Sequence, residues 1–179
     1  MGYSYKKLYE KNAAFFNARP NAKKALSVFD KTLTICFGLA YIALWVYEIF
    51  WGNFYARDFI RIFFVPVLSL FLVSILRAVI SRPRPYSQAG AGITPLKERQ
   101  GSENNSFPSR HLACAASIAI CFFPAFPFIS GVMLALCALL AYIRFALGFH
   151  YPSDLLAGGA VAFIVAGLYS LLEFIFSLL

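Results

Sequence analysis

Charge is scarce in this sequence. Only 13% of its 179 residues are Asp, Glu, Lys or Arg, against roughly 25% in soluble domains. With 60% hydrophobic residues and a mean hydropathy of +0.69, that deficit excludes an ordinary soluble core and points to a membrane protein of one domain. Acidic residues are rarer still, 8 against 16 basic ones, for a net charge of +8. On a membrane chain this excess favours anionic lipid headgroups as partners and basic loops on one side. Nucleic acid is not expected as a partner, because no basic run is interleaved with exposed aromatics. The four cysteines, Cys36, Cys114, Cys121 and Cys137, all lie in apolar stretches and form no CxxC pair. They read as buried small hydrophobes, without a disulfide framework or zinc site. Repeats and low-complexity runs are absent. The N-terminus lacks the compact apolar core and cleavage site of a signal peptide.

What is present is long apolar runs. A spanning helix needs about 20 apolar residues to cross about 30 Å of hydrocarbon. Five runs qualify in this reading: Thr32 to Gly52, Phe59 to Ile80, Ser109 to Phe123, Phe128 to Phe145, and Asp154 to Leu179. The third is short, and Pro124 and Pro127 break the chain after it. Trp45, Tyr47 and Trp51 serve as interfacial anchors at the far end of the first span. Ahead of it, residues 1–31 are basic and aromatic, which fits an amphipathic helix lying on the membrane surface. The expected organisation is therefore that N-terminal segment followed by one transmembrane domain over 32–179. A Pro-, Gly- and Asn-containing loop interrupts the domain over 81–108. The fold class is all-α, a polytopic helix bundle.

Three polar clusters fall on one membrane face in this arrangement. Arg77 and Arg84-Pro85 end the second span. Pro108-Ser109-Arg110-His111 opens the third. Arg144, His150 and Asp154 join the fourth to the fifth. Arginine at the edge of a span needs a partner, and no acidic residue is placed to neutralise both Arg77 and Arg144. A phosphate would satisfy several guanidinium groups, since their planar forks match its oxygens. The chain has only two histidines, and both lie in these clusters. Histidine is a nucleophile and proton shuttle near neutral pH. His150 and Asp154 are four apart, so their side chains can meet across one helical turn, with Pro152 tolerated at its start. The first N–H groups after Ser109 lack helical partners and favour an anion.

The three clusters resemble the signature of the type-2 phosphatidate phosphatase superfamily, which includes the vanadium haloperoxidases. That signature reads Lys-x6-Arg-Pro, then Pro-Ser-Gly-His, then Ser-Arg-x5-His-x3-Asp. This chain has Arg77 in place of the lysine, Arg110 in place of the glycine and Ile143 in place of the serine, with all internal spacings kept. The resemblance implies a lipid phosphatase in which His150 attacks phosphorus, Asp154 orients His150, and His111 protonates the departing lipid oxygen. Arg77, Arg84, Ser109, Arg110 and Arg144 would hold the phosphoryl oxygens. It implies no metal and no cofactor, the arginines taking the role of a metal.

The substrate class so implied is a phosphorylated lipid: undecaprenyl pyrophosphate, phosphatidate or phosphatidylglycerophosphate. The membrane would be a bacterial plasma membrane. Its basic excess puts the site face in the cytoplasm by the positive-inside rule. Similarity to small relatives that recycle undecaprenyl pyrophosphate puts the site outside instead. A lipid phosphotransferase would use the same residues. An anion transporter, the reading from another class, would need a path across the bilayer, whereas the ionisable residues gather at one side.

Overall fold

The computed structural model describes residues 2–52, 55–87, 89–97 and 104–178, with the side chains of 2–4 left aside. The described residues form six helices: α1 (Gly2–Asn17), α2 (Pro20–Phe50), α3 (Ala56–Ile80), α4 (Arg110–Cys121), α5 (Pro127–Ala146) and α6 (Pro152–Ser177). Three of them open with proline, at Pro20, Pro127 and Pro152. Its fixed φ suits the first helical position, and its missing N–H would have had no partner there. The all-α bundle expected from the sequence is what forms.

The expected number of spans changes. α2, α3, α5 and α6 are long and apolar enough to cross a membrane, so the described residues hold four such helices and not five. α4, the expected third span, is only 12 residues long and rises about 18 Å. Pro124 and Pro127 prevent its extension. It is sheathed by α3, α5 and α6 with α2 on the remaining side, and nearly all of it from Leu112 to Cys121 is buried. The outer helices instead expose Phe, Leu and Ile along their lengths, such as Phe71 on α3, Phe128 on α5 and Phe163 on α6. An apolar exterior on this scale is solvated by lipid, not water. The chain is an integral membrane protein.

The N-terminal region also departs from expectation. α2 runs unbroken through residues 31 and 32 from Pro20, so the helix that holds the first span begins earlier than the apolar run alone indicates. α1 does not offer its whole apolar face to the membrane. Tyr5, Tyr9, Ala13 and Phe16 are buried in the protein, one stripe at helical spacing, while Lys6, Lys7 and Lys11 face out. Cys36 is exposed on α2, unlike buried Cys121 and Cys137.

α3 carries Pro66 in its interior. A proline there leaves the carbonyl four residues earlier, that of Ile62, without its helical N–H. The Tyr41 hydroxyl of α2 donates to that oxygen at 3.0 Å. A hydrogen bond between two spans thus repairs the break, as the apolar layer requires.

Candidate phosphate-transfer site

The site lies where α3 and α5 end and α4 and α6 begin. α5 stops because Gly148 adopts a left-handed conformation, φ +81°, right after the last turn. Its N–H and that of Phe149 then satisfy the carbonyls of Phe145 and Arg144, at 2.9 and 3.1 Å. This turn aims His150 inward. α6 starts one residue after Tyr151, and Asp154 Oδ2 accepts the Tyr151 N–H at 3.0 Å. Asp154 is therefore both an N-terminal cap of α6 and a neighbour of His150.

His150 is 1% exposed. Its Nδ1 lies 2.9 Å from the Ser106 carbonyl oxygen and 3.6 Å from Asp154 Oδ2. A carbonyl can only accept, so Nδ1 carries the proton and donates it to Ser106. Nε2 is left with its lone pair, the form a nucleophile needs. Asp154 stands outside hydrogen-bond distance of the ring. Burial pushes the imidazole down to about 4, the charges of Arg84 and Arg144 push the same way, and Asp154 opposes them.

The arginines tie the connecting loops together. Arg77 donates to the Pro108 carbonyl at 3.1 Å, and Arg84 to the Phe149 carbonyl at 3.2 Å. Both are buried, as is Arg144. Ser109, fully buried, donates its backbone N–H to the Asp154 carbonyl at 2.8 Å. Its side-chain oxygen has no hydrogen-bond partner among the described residues. A buried hydroxyl left so, beside the open N–H groups of α4, suits an added anion. α6 closes in on this point at Gly158, where a Cβ would stand 2.5 Å from the Ser109 carbonyl oxygen. His111, the second residue of α4, is half-buried and lines a small cavity towards α2. Arg110 is exposed at the first position of α4.

Three contributors were not singled out from the sequence. Asp30 on α2 is buried and pairs with Arg144 at 3.1 Å. Arg144 therefore has an acidic partner that the sequence reading did not assign to it. Because α2 begins at Pro20, Asp30 lies inside a helix packed on α5, and not in a surface segment. Arg82 donates to Asp154 Oδ1 at 2.7 Å and to Ser153 Oγ at 2.8 Å, and its guanidinium lies 4.1 Å from the Tyr151 ring centroid. It belongs to the run Arg82-Pro83-Arg84-Pro85, in which motif spacing draws attention only to Arg84. Ser106 acts through its backbone, which leaves no signature in a side-chain pattern.

α1 braces the same loops. The Tyr5 ring packs 4.7 Å from that of Tyr151, and the Tyr9 hydroxyl donates to the Thr94 carbonyl at 3.0 Å. Two loops that meet at His150 are held by a helix distant in sequence.

Comparison with known proteins places the chain in a family and agrees with its fold. The chain is 33% identical over 98 residues to the lipid A 1-phosphatase of Rhizobium johnstonii, a match covering 54% of this chain. The match spans 40% of that protein's length. The fold is similar to the crystal structure of LpxE from Aquifex aeolicus, with a TM-score of 0.66 at 22% identity, covering 91% of this chain and 92% of that one. Residues 58–176, which carry all three polar clusters, match the PAP2 superfamily. The chain belongs to the PAP2 superfamily.

Proposed function

We propose that this protein is a metal-independent membrane lipid phosphatase working through a phosphohistidine. The observation that carries the reading is the state of His150: Nδ1–H is committed to the Ser106 carbonyl at 2.9 Å, so Nε2 is the free nucleophile. Nε2 attacks phosphorus as the bond to the lipid oxygen breaks. His111 gives its proton to that oxygen, and the lipid leaves as an alcohol or, from a diphosphate, as a lipid monophosphate. The imidazole then carries positive charge, which the Ser106 carbonyl and the Asp154 carboxylate stabilise across the ring. Water attacks the phosphohistidine, returns a proton to His111 and releases orthophosphate. Arg77, Arg84, Arg144, Ser109 and the α4 amides stabilise the charge that builds on the phosphoryl oxygens.

The substrate is a phosphate or diphosphate ester of a lipid. Undecaprenyl pyrophosphate, phosphatidate and phosphatidylglycerophosphate are the expected candidates, and the lipid A 1-phosphatase relative adds a phosphorylated glycolipid. Exposed Arg110 favours a headgroup with charge beyond the reacting phosphoryl group. Orthophosphate release from this panel in detergent should persist in EDTA and vanish in His150→Ala. Full activity in that variant would sink the nucleophile assignment.

A further inference from the structure

His111 is needed where the leaving oxygen departs, so the space beside it says where the lipid lies. That space is a cavity of about 110 Å³ between α2, α4 and α5, lined by Thr34, Phe37, Gly38, His111, Ile118 and Leu140 among others. Apart from His111 and the Thr34 hydroxyl its lining is apolar. A water occupies about 30 Å³ in the liquid, so the cavity has room for only a few carbon atoms.

Its register relative to the charged groups is the same on two helices. Asp30 and Arg144 pair across α2 and α5 at 3.1 Å. Thr34 lies one turn further along α2 than Asp30, and Leu140 one turn further from the site along α5 than Arg144. Along α4 the cavity runs from His111 in the first turn to Ile118, a rise of about 10 Å. It therefore lies directly beneath the Asp30–Arg144 pair, on the membrane side, with the proton donor in its wall. Thr34 and Gly38 are exposed while Phe37 is buried, which leaves the cavity open along α2.

We infer that this cavity is the leaving-group subsite and takes the first carbons of the lipid alcohol as it departs from phosphorus. The inference rests on the lipid phosphatase reading above. Charge at the top, an acid in the wall and hydrocarbon below match the order of groups in a lipid phosphate. The subsite is built partly from α2, which lies outside the residues matched to the superfamily. Leaving-group choice then belongs to a helix that the signature motifs do not include.

Gly38 lines the open side of the cavity, and a Cβ added there meets nothing within 4 Å, so a larger side chain fits at its mouth without disturbing the backbone. Gly131 on α5 is equally open and away from the cavity, and serves as control. Purified full-length Gly38→Ala, Gly38→Leu and Gly131→Leu are assayed with long-chain phosphatidate in mixed micelles, and with inorganic orthophosphate as inhibitor. Gly38→Leu should lower kcat/KM for the lipid ~10-fold or more, the scale on which a pocket responds to a few methylenes. Gly38→Ala should lower it less, Gly131→Leu should leave it alone, and the Ki of orthophosphate should stay the same in all three. Unchanged lipid kinetics in both Gly38 variants, with His150→Ala inactive, would overturn the subsite and leave the phosphatase reading standing. Parallel loss of orthophosphate affinity in the Gly38 variants would overturn it as well, by showing that Gly38 acts on the phosphate site itself. Activity in His150→Ala would remove the reading beneath it, whatever Gly38 does.

Discussion

At the scale of single residues, the site depends on which atom of His150 holds the proton. Spacing in the sequence is enough to pair His150 with Asp154, and the structure does bring them to 3.6 Å. The nearer partner, at 2.9 Å, is a backbone carbonyl. Any residue at position 106 offers one, so no reading of side chains could have found it. Burial and the neighbouring arginines hold the imidazole neutral well below its ordinary value of 6.5. The unfolded chain then binds more protons than the folded one between pH 6.5 and about 4. Stability from this group is complete above 6.5 and falls as pH falls through that window. Nitrogen NMR of histidine-labelled protein in detergent should show His150 still neutral at pH 5.5, with His111→Gln used to assign the two rings. A midpoint near 6.5 for His150 would contradict a buried imidazole held neutral by its surroundings. Asp30 had a faint sequence signal, as an acid alone among lysines just before an apolar run. Its meaning depends on α2 starting at Pro20, which the hydropathy boundary at residue 32 concealed.

At the scale of elements, hydropathy located the helices but not what each of them packs against. α4 reads as a span because its residues are apolar, yet those residues are buried against four neighbouring helices and not against lipid. A helix interior to a membrane protein and a helix facing lipid have the same composition, so only length and neighbours separate them. α1 reads as a surface helix because its pattern is amphipathic, and its buried tyrosines show that much of its apolar face is used inside the protein. α3 shows how a pair of elements can share one defect. If the Tyr41 hydroxyl replaces the helical N–H that Pro66 lacks, Tyr41→Phe should destabilise the protein by about 1–3 kcal/mol, the cost of an unsatisfied buried acceptor. Thermal unfolding in detergent would show this as a lower Tm. In a Pro66→Ala background, where the N–H is restored, the same substitution should be nearly neutral. Equal losses in both backgrounds would show that the hydroxyl matters for some other reason.

At the scale of the whole molecule, charge is polarised along the bundle. Among the described residues, Arg57 and Arg61 are the only basic side chains at the end away from the site, and Asp58 pairs with Arg61 there at 2.7 Å. Glu48 and Glu173 belong to that end too. The site end holds the α1 lysines, the start of α2 and the arginine clusters. A positive field over one end raises the local concentration of anionic lipid headgroups. Salt weakens such a field, since the Debye length shrinks from about 30 Å at 0.01 M to about 3 Å at 1 M. KM for an anionic lipid substrate should therefore climb with sodium chloride, while kcat stays nearly constant because the buried arginines are little screened. A falling kcat at constant KM would assign the salt effect to the site itself.

The sequence alone determined that the chain enters a membrane and that its histidines, Asp154 and three arginines gather at one end. Both follow from one-dimensional information: apolar runs of fixed length and motifs of fixed spacing, each tied to a helix end. Tertiary structure decided what those residues touch. The Nδ1 partner of His150, the counter-ion of Arg144, the clamp of Arg82 on Asp154 and the cavity beneath His111 each join segments far apart in the chain. Their geometry is set by how helices pack, and packing is a property of surfaces that meet only after the chain has folded.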